Sequence, residues 1–124
     1  MSNLETTINE YFENRSELKP NTVSDDLRNA INNVIEGLDS GDLRVAEKQG
    51  DAWLVHQWIK KAVLLSFAIN NNEPIDGGFT KYFDKVPQKF AGLSKDEFNK
   101  IGARVVPPAL ARRGCYIAPG VVLM

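Results

Sequence analysis

The chain has 124 residues, 43% hydrophobic and 25% charged, with a formal net charge of −1, a mixture that excludes a disordered or membrane-embedded polypeptide and suits one globular domain with a modest core. Its longest apolar stretch, Ala62-Val63-Leu64-Leu65 continued by Ser66-Phe67-Ala68-Ile69, is too short to span a bilayer, and Met1-Ser2-Asn3-Leu4-Glu5 lacks the basic and apolar regions of a signal peptide, so no membrane role and a cytoplasmic location are expected. Residues 1 to 42 hold nine acids against three bases and residues 43 to 124 seven against twelve, so an anion is expected to meet the second part.

Ser2 with Glu5 forms a capping-box pattern, and Leu4, Ile8, Tyr11 and Phe12 recur at helical spacing, which predicts a first helix ending before Lys19-Pro20. Ser24 can cap a second helix whose stripe is Leu27, Ile31, Val34, Ile35 and Leu38; Asp25 and Asp26 suit its positive end, and Ser40-Gly41 stops it. The period then changes: Leu43-Arg44-Val45 and Trp53-Leu54-Val55 flank Gln49-Gly50-Asp51 and predict a hairpin. Gln57 to Ile69 predicts a third helix, the most buried, with Ile59, Val63 and Phe67 on one stripe and Lys60-Lys61 on a solvated side.

Residues 73 to 93 show no sustained periodicity and are expected to form an ordered loop rich in aromatics and lysines. Ser94 and Glu97 repeat the capping-box pattern and open a short helix that Gly102 ends. In Ala103-Arg104-Val105-Val106-Pro107-Pro108 the double proline favours an extended, edge-like course. Ile117-Ala118-Pro119-Gly120-Val121-Val122 followed by Leu123 has the spacing of a hexapeptide β-helix at its start. Glu97 is the last acid and the sequence closes on Val121-Val122-Leu123-Met124; an apolar strand there would lack a neighbour, so the chain is expected to be the front part of something longer.

Candidate chemistry is sparse. His56, the single histidine, lies at the end of a predicted strand with no matched acid or serine in a recognisable pattern, and Trp53 and Trp58 are expected to anchor the hairpin to the next helix. Cys115, the single cysteine, can form no internal disulfide, has no neighbouring Cys or His to complete a metal pattern, and reads as a small buried apolar residue in a strand. Gly77-Gly78 has neither the lysine nor the strand and helix of a phosphate loop. Lys81, Lys85, Lys89, Arg112 and Arg113, with Tyr82, Phe83 and Phe90 interleaved among the lysines, would suit a nucleic acid, but a pI of about 5.8 argues against that partner. Arg112 or Arg113 could serve a phosphate-rich cosubstrate electrostatically.

Five strings in order, Asp39-Ser40-Gly41, Leu43 to Lys48, Trp58 to Phe67, Tyr82 to Pro87 and Arg104-Val105-Val106-Pro107-Pro108, closely resemble the tetrahydrodipicolinate N-succinyltransferase family. The resemblance implies an acyltransferase of diaminopimelate and lysine biosynthesis in which succinyl-CoA, the cosubstrate, acylates the amine of ring-opened tetrahydrodipicolinate. It implies a cytoplasmic homotrimer and an α+β fold: a mostly helical N-terminal domain with a β-hairpin, 1–103, then 104–124 as an extended connection and the first step of a left-handed parallel β-helix built of hexapeptide repeats. Acyl-CoA would lie along that β-helix between neighbouring subunits. Arg104 is the one substrate-binding position that carries over; a guanidinium stays charged and can grip a carboxylate of the substrate through two parallel hydrogen bonds. No catalytic residue is expected within this chain, no CoA-binding residue is assigned, and neither a metal nor a tightly bound cofactor is expected. The family's catalytic acids fall beyond Met124, so the 124-residue chain alone is expected to be inactive. The alternative is a stand-alone helical interaction module derived from the enzyme.

Overall fold

The computed structural model describes residues 2–124; the capping role expected of Ser2 rests on a side chain outside the described residues. The first helix, α1 (Ser2–Glu13), gives way to a 3-10 turn at Arg15–Glu17 before Lys19-Pro20. α2 (Asp25–Ser40) starts where the Ser24 hydroxyl accepts the Leu27 amide and stops at Gly41, whose φ of 86° is a left-handed conformation that glycine adopts without a Cβ penalty. α3 (Gln57–Ala68) completes the core: Ile8 of α1, Leu27, Ala30, Ile31 and Val34 of α2, and Trp58, Ile59, Ala62 and Leu65 of α3 are buried together with Ile69. Burying each of the larger aliphatic side chains contributes about 1.5–3 kcal/mol.

The buried face of α3 differs from the predicted stripe. Ile59 is buried, but Val63 is half-buried and Phe67 is 38% exposed, while Trp58, Ala62 and Leu65 face the core. Apolar residues occupy nearly every side of this helix, so a spacing of four cannot select one face, and the methyl of Ala62 lets the neighbouring helices approach. α3 shares the core with α2 but buries four of its twelve residues against four of sixteen, so by share it is the most buried helix among the described residues, as expected.

Between α2 and α3 lies an antiparallel hairpin of β1 (Ala46–Gln49) and β2 (Ala52–Val55) around Gly50, at φ 62°. The predicted first strand, Leu43 to Val45, precedes β1: the Leu43 amide is held by the Gly37 carbonyl at 2.9 Å and its side chain packs against the helical core. Trp53, expected as an anchor, is 68% exposed, whereas Trp58 is buried in the helical core.

Residues 73 to 93 are more regular than expected. β3 (Glu73–Asp76) and β4 (Lys81–Asp84) form a second antiparallel hairpin, closed where the Gly77 amide meets the Thr80 carbonyl at 2.9 Å. Every residue of β4 is exposed and Pro74 sits in β3, so the segment carries no inside-outside alternation that a sequence could display. α4 (Lys95–Ile101) has the full reciprocal capping box, each bond 3.2 Å long, and ends at Gly102, also left-handed at φ 75°.

Gly102 delivers the chain to β5 (Arg104–Val105), which pairs in parallel with β6 (Val122–Leu123) eighteen residues later. Along this segment Val105, Ala111, Ile117 and Leu123, six residues apart, are half-buried, and the residue before each, Arg104, Leu110, Tyr116 and Val122, is exposed. Cys115 is half-buried and lies outside any strand, unlike the buried strand position expected. The architecture is α+β, and among the described residues no helix is long and apolar enough to cross a membrane.

Candidate functional site

Arg104 is held by its backbone at both ends. Its amide donates to the Val121 carbonyl at 2.9 Å, and two residues on, the Val106 amide donates to the Leu123 carbonyl at 2.9 Å. The start of β5 is fixed by the Gly120 amide, 2.8 Å from the Gly102 carbonyl, and a Cβ on Gly102 would come within 3.3 Å of Pro119. Pro107 and Pro108 follow at once; they lack the amides that would extend the ladder and limit the motion of the chain beside the arginine.

The Arg104 side chain is exposed, on the opposite side of the strand from half-buried Val105, and its guanidinium makes no hydrogen bond or ion pair among the described residues. All its donors are thus open to a ligand. The neighbouring cleft, about 230 Å³, is lined by Val105 rather than Arg104, with Phe79 and Tyr82 from the second hairpin and Pro107 and Pro108. Among the described residues, no other residue singled out for chemistry bonds the Arg104 guanidinium.

His56 has the acid that its sequence context did not reveal. Its Nε2 lies 3.0 Å from Glu47 Oε1, because the hairpin turn folds β1 back beside the start of α3. The cleft around the pair is lined by Glu5, Asp42, Leu43 and Arg44 along with Trp58 and Ile59, so no serine or cysteine nucleophile faces it. Among the described residues, no group of three or more His, Cys, Asp or Glu side chains could hold a metal.

The lysines and aromatics of residues 81 to 90 are separated by the fold. Lys85 Nζ donates to the Phe67 carbonyl at 3.0 Å, and Phe90 packs on Phe98 with ring centroids 5.6 Å apart. Lys89 Nζ bonds both the Oδ1 and the backbone carbonyl of Asp39, at 3.0 and 2.9 Å, and the same Asp39 oxygen accepts the Gly114 amide at 2.8 Å. Around this junction the Lys89 amide donates to Ala111, and the Arg113 amide donates to Pro87. These bonds tie the end of α2 and residues 87 to 89 to the segment that carries β5 and β6. Sequence reasoning missed the junction because its partners are 50 and 75 residues apart and carry no motif. Lys61, expected on a solvated face, instead reaches Asn9 Oδ1 at 3.1 Å across the α1 and α3 contact, whereas Lys60 is exposed.

Residues 3–69 match the family described as tetrahydrodipicolinate N-succinyltransferase N-terminal. The chain is 58% identical over 118 residues to the 2,3,4,5-tetrahydropyridine-2,6-dicarboxylate N-succinyltransferase of Methylococcus capsulatus, covering 95% of this chain and 44% of that relative. It is 57% identical over 122 residues to the protein of the same name from Cupriavidus necator, covering 98% of this chain and 44% of the relative. With the Proteus mirabilis protein of that name it shares 56% identity over 124 residues, 100% of this chain and 45% of the relative. The chain therefore spans a little under half the length of these relatives. A family match over more than half of its residues, with relatives of one name alongside nearly all the rest, establishes that the chain belongs to the tetrahydrodipicolinate N-succinyltransferase N-terminal family.

Proposed function

We propose that this chain is the N-terminal part of an enzyme that transfers a succinyl group from succinyl-CoA to tetrahydrodipicolinate, and that Arg104 binds a carboxylate of that substrate. The relatives' name specifies a 2,6-dicarboxylate and an N-succinyl transfer. The observation that carries the assignment of Arg104 is its unpartnered guanidinium on a backbone held by hydrogen bonds on both sides. A fixed fork of donors suits a carboxylate and costs little ordering entropy on binding. In the reaction the substrate amine attacks the thioester carbonyl, the amine proton is lost, and the tetrahedral adduct expels the CoA thiolate; the attacking and leaving groups must be held together in one complex. This chain supplies the dicarboxylate grip, and among the described residues no acid or histidine bonds the Arg104 side chain where it could take the proton, so by itself it is inactive.

Residues 1–103 form the helical domain and 104–124 the entry to a left-handed parallel β-helix, which in the whole enzyme builds a cytoplasmic homotrimer. Two observations support this division: the eighteen-residue offset of the parallel pair, three hexads long, and the period-six burial of Val105, Ala111, Ile117 and Leu123. A stand-alone interaction module is not favoured, since the similarity to the enzymes covers up to 100% of the chain.

The test joins this chain to the remaining C-terminal part of the Proteus mirabilis relative and measures CoA release. The joined enzyme transfers the succinyl group and the 124-residue chain does not. In the joined enzyme, Arg104→Lys raises KM for the dicarboxylate by about tenfold, the loss of one strong hydrogen bond, and leaves KM for succinyl-CoA within about twofold. Turnover by the short chain would overturn its inactivity, and an unchanged dicarboxylate KM would remove Arg104 from the site.

A further inference from the structure

A second cleft, of about 220 Å³, opens between α2, α3 and the two segments that meet at the Lys89 junction. Its apolar lining is Ile31 and Ile35 from α2, Val63 and Phe67 from α3, and Val86 beside Pro87, with the neutral polar Asn32, Ser66 and Asn70 among them. The charged residues lining it are Lys85, Arg112 and Arg113, all cationic, in a chain whose fifteen bases and sixteen acids nearly balance overall. Arg104 is not among its walls. We propose that this cleft binds a small organic carboxylate with an apolar body, at a site separate from the dicarboxylate grip.

The donors have capacity to spare. Lys85 Nζ has three hydrogens and gives one to the Phe67 carbonyl, and the side chain of Arg112 has no partner among the described residues. Arg113 is paired through Nη2 with Glu36 at 3.0 Å, but Glu36 is 71% exposed, and an exposed pair of that kind is a weak competitor for an incoming anion. The cleft is smaller than the pockets that hold drug-sized ligands, which limits the occupant to a short acyl or small ring carboxylate. The apolar lining disfavours a bare inorganic anion, and the three cations disfavour a neutral hydrocarbon. The proposal does not depend on the acyltransferase reading, because its test reads binding only.

The experiment titrates the isotopically labelled chain with hexanoate and follows its amide resonances. Expected are saturable shifts at residues 31–35, 63–70, 85–87 and 112–113 with a dissociation constant in the millimolar range, and affinity about fivefold weaker in Arg112→Gln but unchanged in Lys48→Gln, which alters an exposed lysine of β1. The Arg112 side chain is exposed and has no partner among the described residues, while its backbone bridge to Gln88 does not depend on the side chain, so its replacement leaves the remaining spectrum intact. Absence of saturation, equal shifts with hexan-1-ol, equal shifts with inorganic phosphate, or an affinity indifferent to Arg112→Gln would each overturn the proposal.

Discussion

Replacing Lys89 with methionine keeps most of the buried stem and removes only the ammonium. The wild-type ammonium makes two bonds to Asp39, at 3.0 and 2.9 Å, and its side chain is 10% exposed. Truncating one member of a fully buried pair costs about 3–5 kcal/mol because the other charge stays desolvated. Asp39 is 26% exposed and keeps its 2.8 Å bond from Gly114, so water and that amide recover part of the loss, and the expected cost is about 2 kcal/mol. In urea this lowers the unfolding midpoint by about 1 M at unchanged slope. Hydrogen exchange gives the local readout: the Gly114 amide should exchange faster in Lys89→Met by a larger factor than amides in the centre of α2. A double-mutant cycle with Asp39→Asn should return a coupling of about 1–2 kcal/mol. A midpoint shift below about 0.2 M, or a coupling near zero, would refute the claim that this pair joins the helical core to the β5 and β6 segment.

Leu65→Ala should cost about 3 kcal/mol because the side chain is 1% exposed, whereas Phe67→Ala, at 38% exposure, should cost less than half as much; equal losses in denaturant melts would contradict the assigned face of α3. Gly41→Ala places a Cβ 2.9 Å from the Tyr116 ring at a φ of 86° and should cost about 1–2 kcal/mol, with the Tyr116 ring resonances displaced; an unchanged melt and spectrum would refute the strain.

Signals decided within four or five residues were legible in the chain. Ser24, Gly41, the Ser94 and Glu97 box and Gly102 stand where expected, because caps depend on local hydrogen bonds and on the one residue type that enters the left-handed region without strain. The α2 stripe was equally clear, since polar residues on its far side leave a single apolar face. The face of α3 was not legible, because apolar residues surround that helix and only its packing against Ile8 and the α2 stripe selects among them. Nor was the second hairpin, whose exposed strands display no periodicity. Glu47 became the partner of His56 only when the hairpin turned, with β1 beginning at Ala46 rather than at the predicted Leu43.

At the candidate site the same division holds. The Arg-Val-Val-Pro-Pro string marked Arg104 by resemblance, whereas its open guanidinium and its strand-to-strand support exist only after β6 returns beside β5. Lys85, Arg112 and Arg113 stood out in the sequence among the excess bases of residues 43 to 124, but nothing there showed that they meet at one cleft. Local backbone chemistry, decided by near neighbours, can be read from residue order; the meeting of side chains dozens of residues apart depends on the packing free energy of the whole chain, and only the tertiary structure records it.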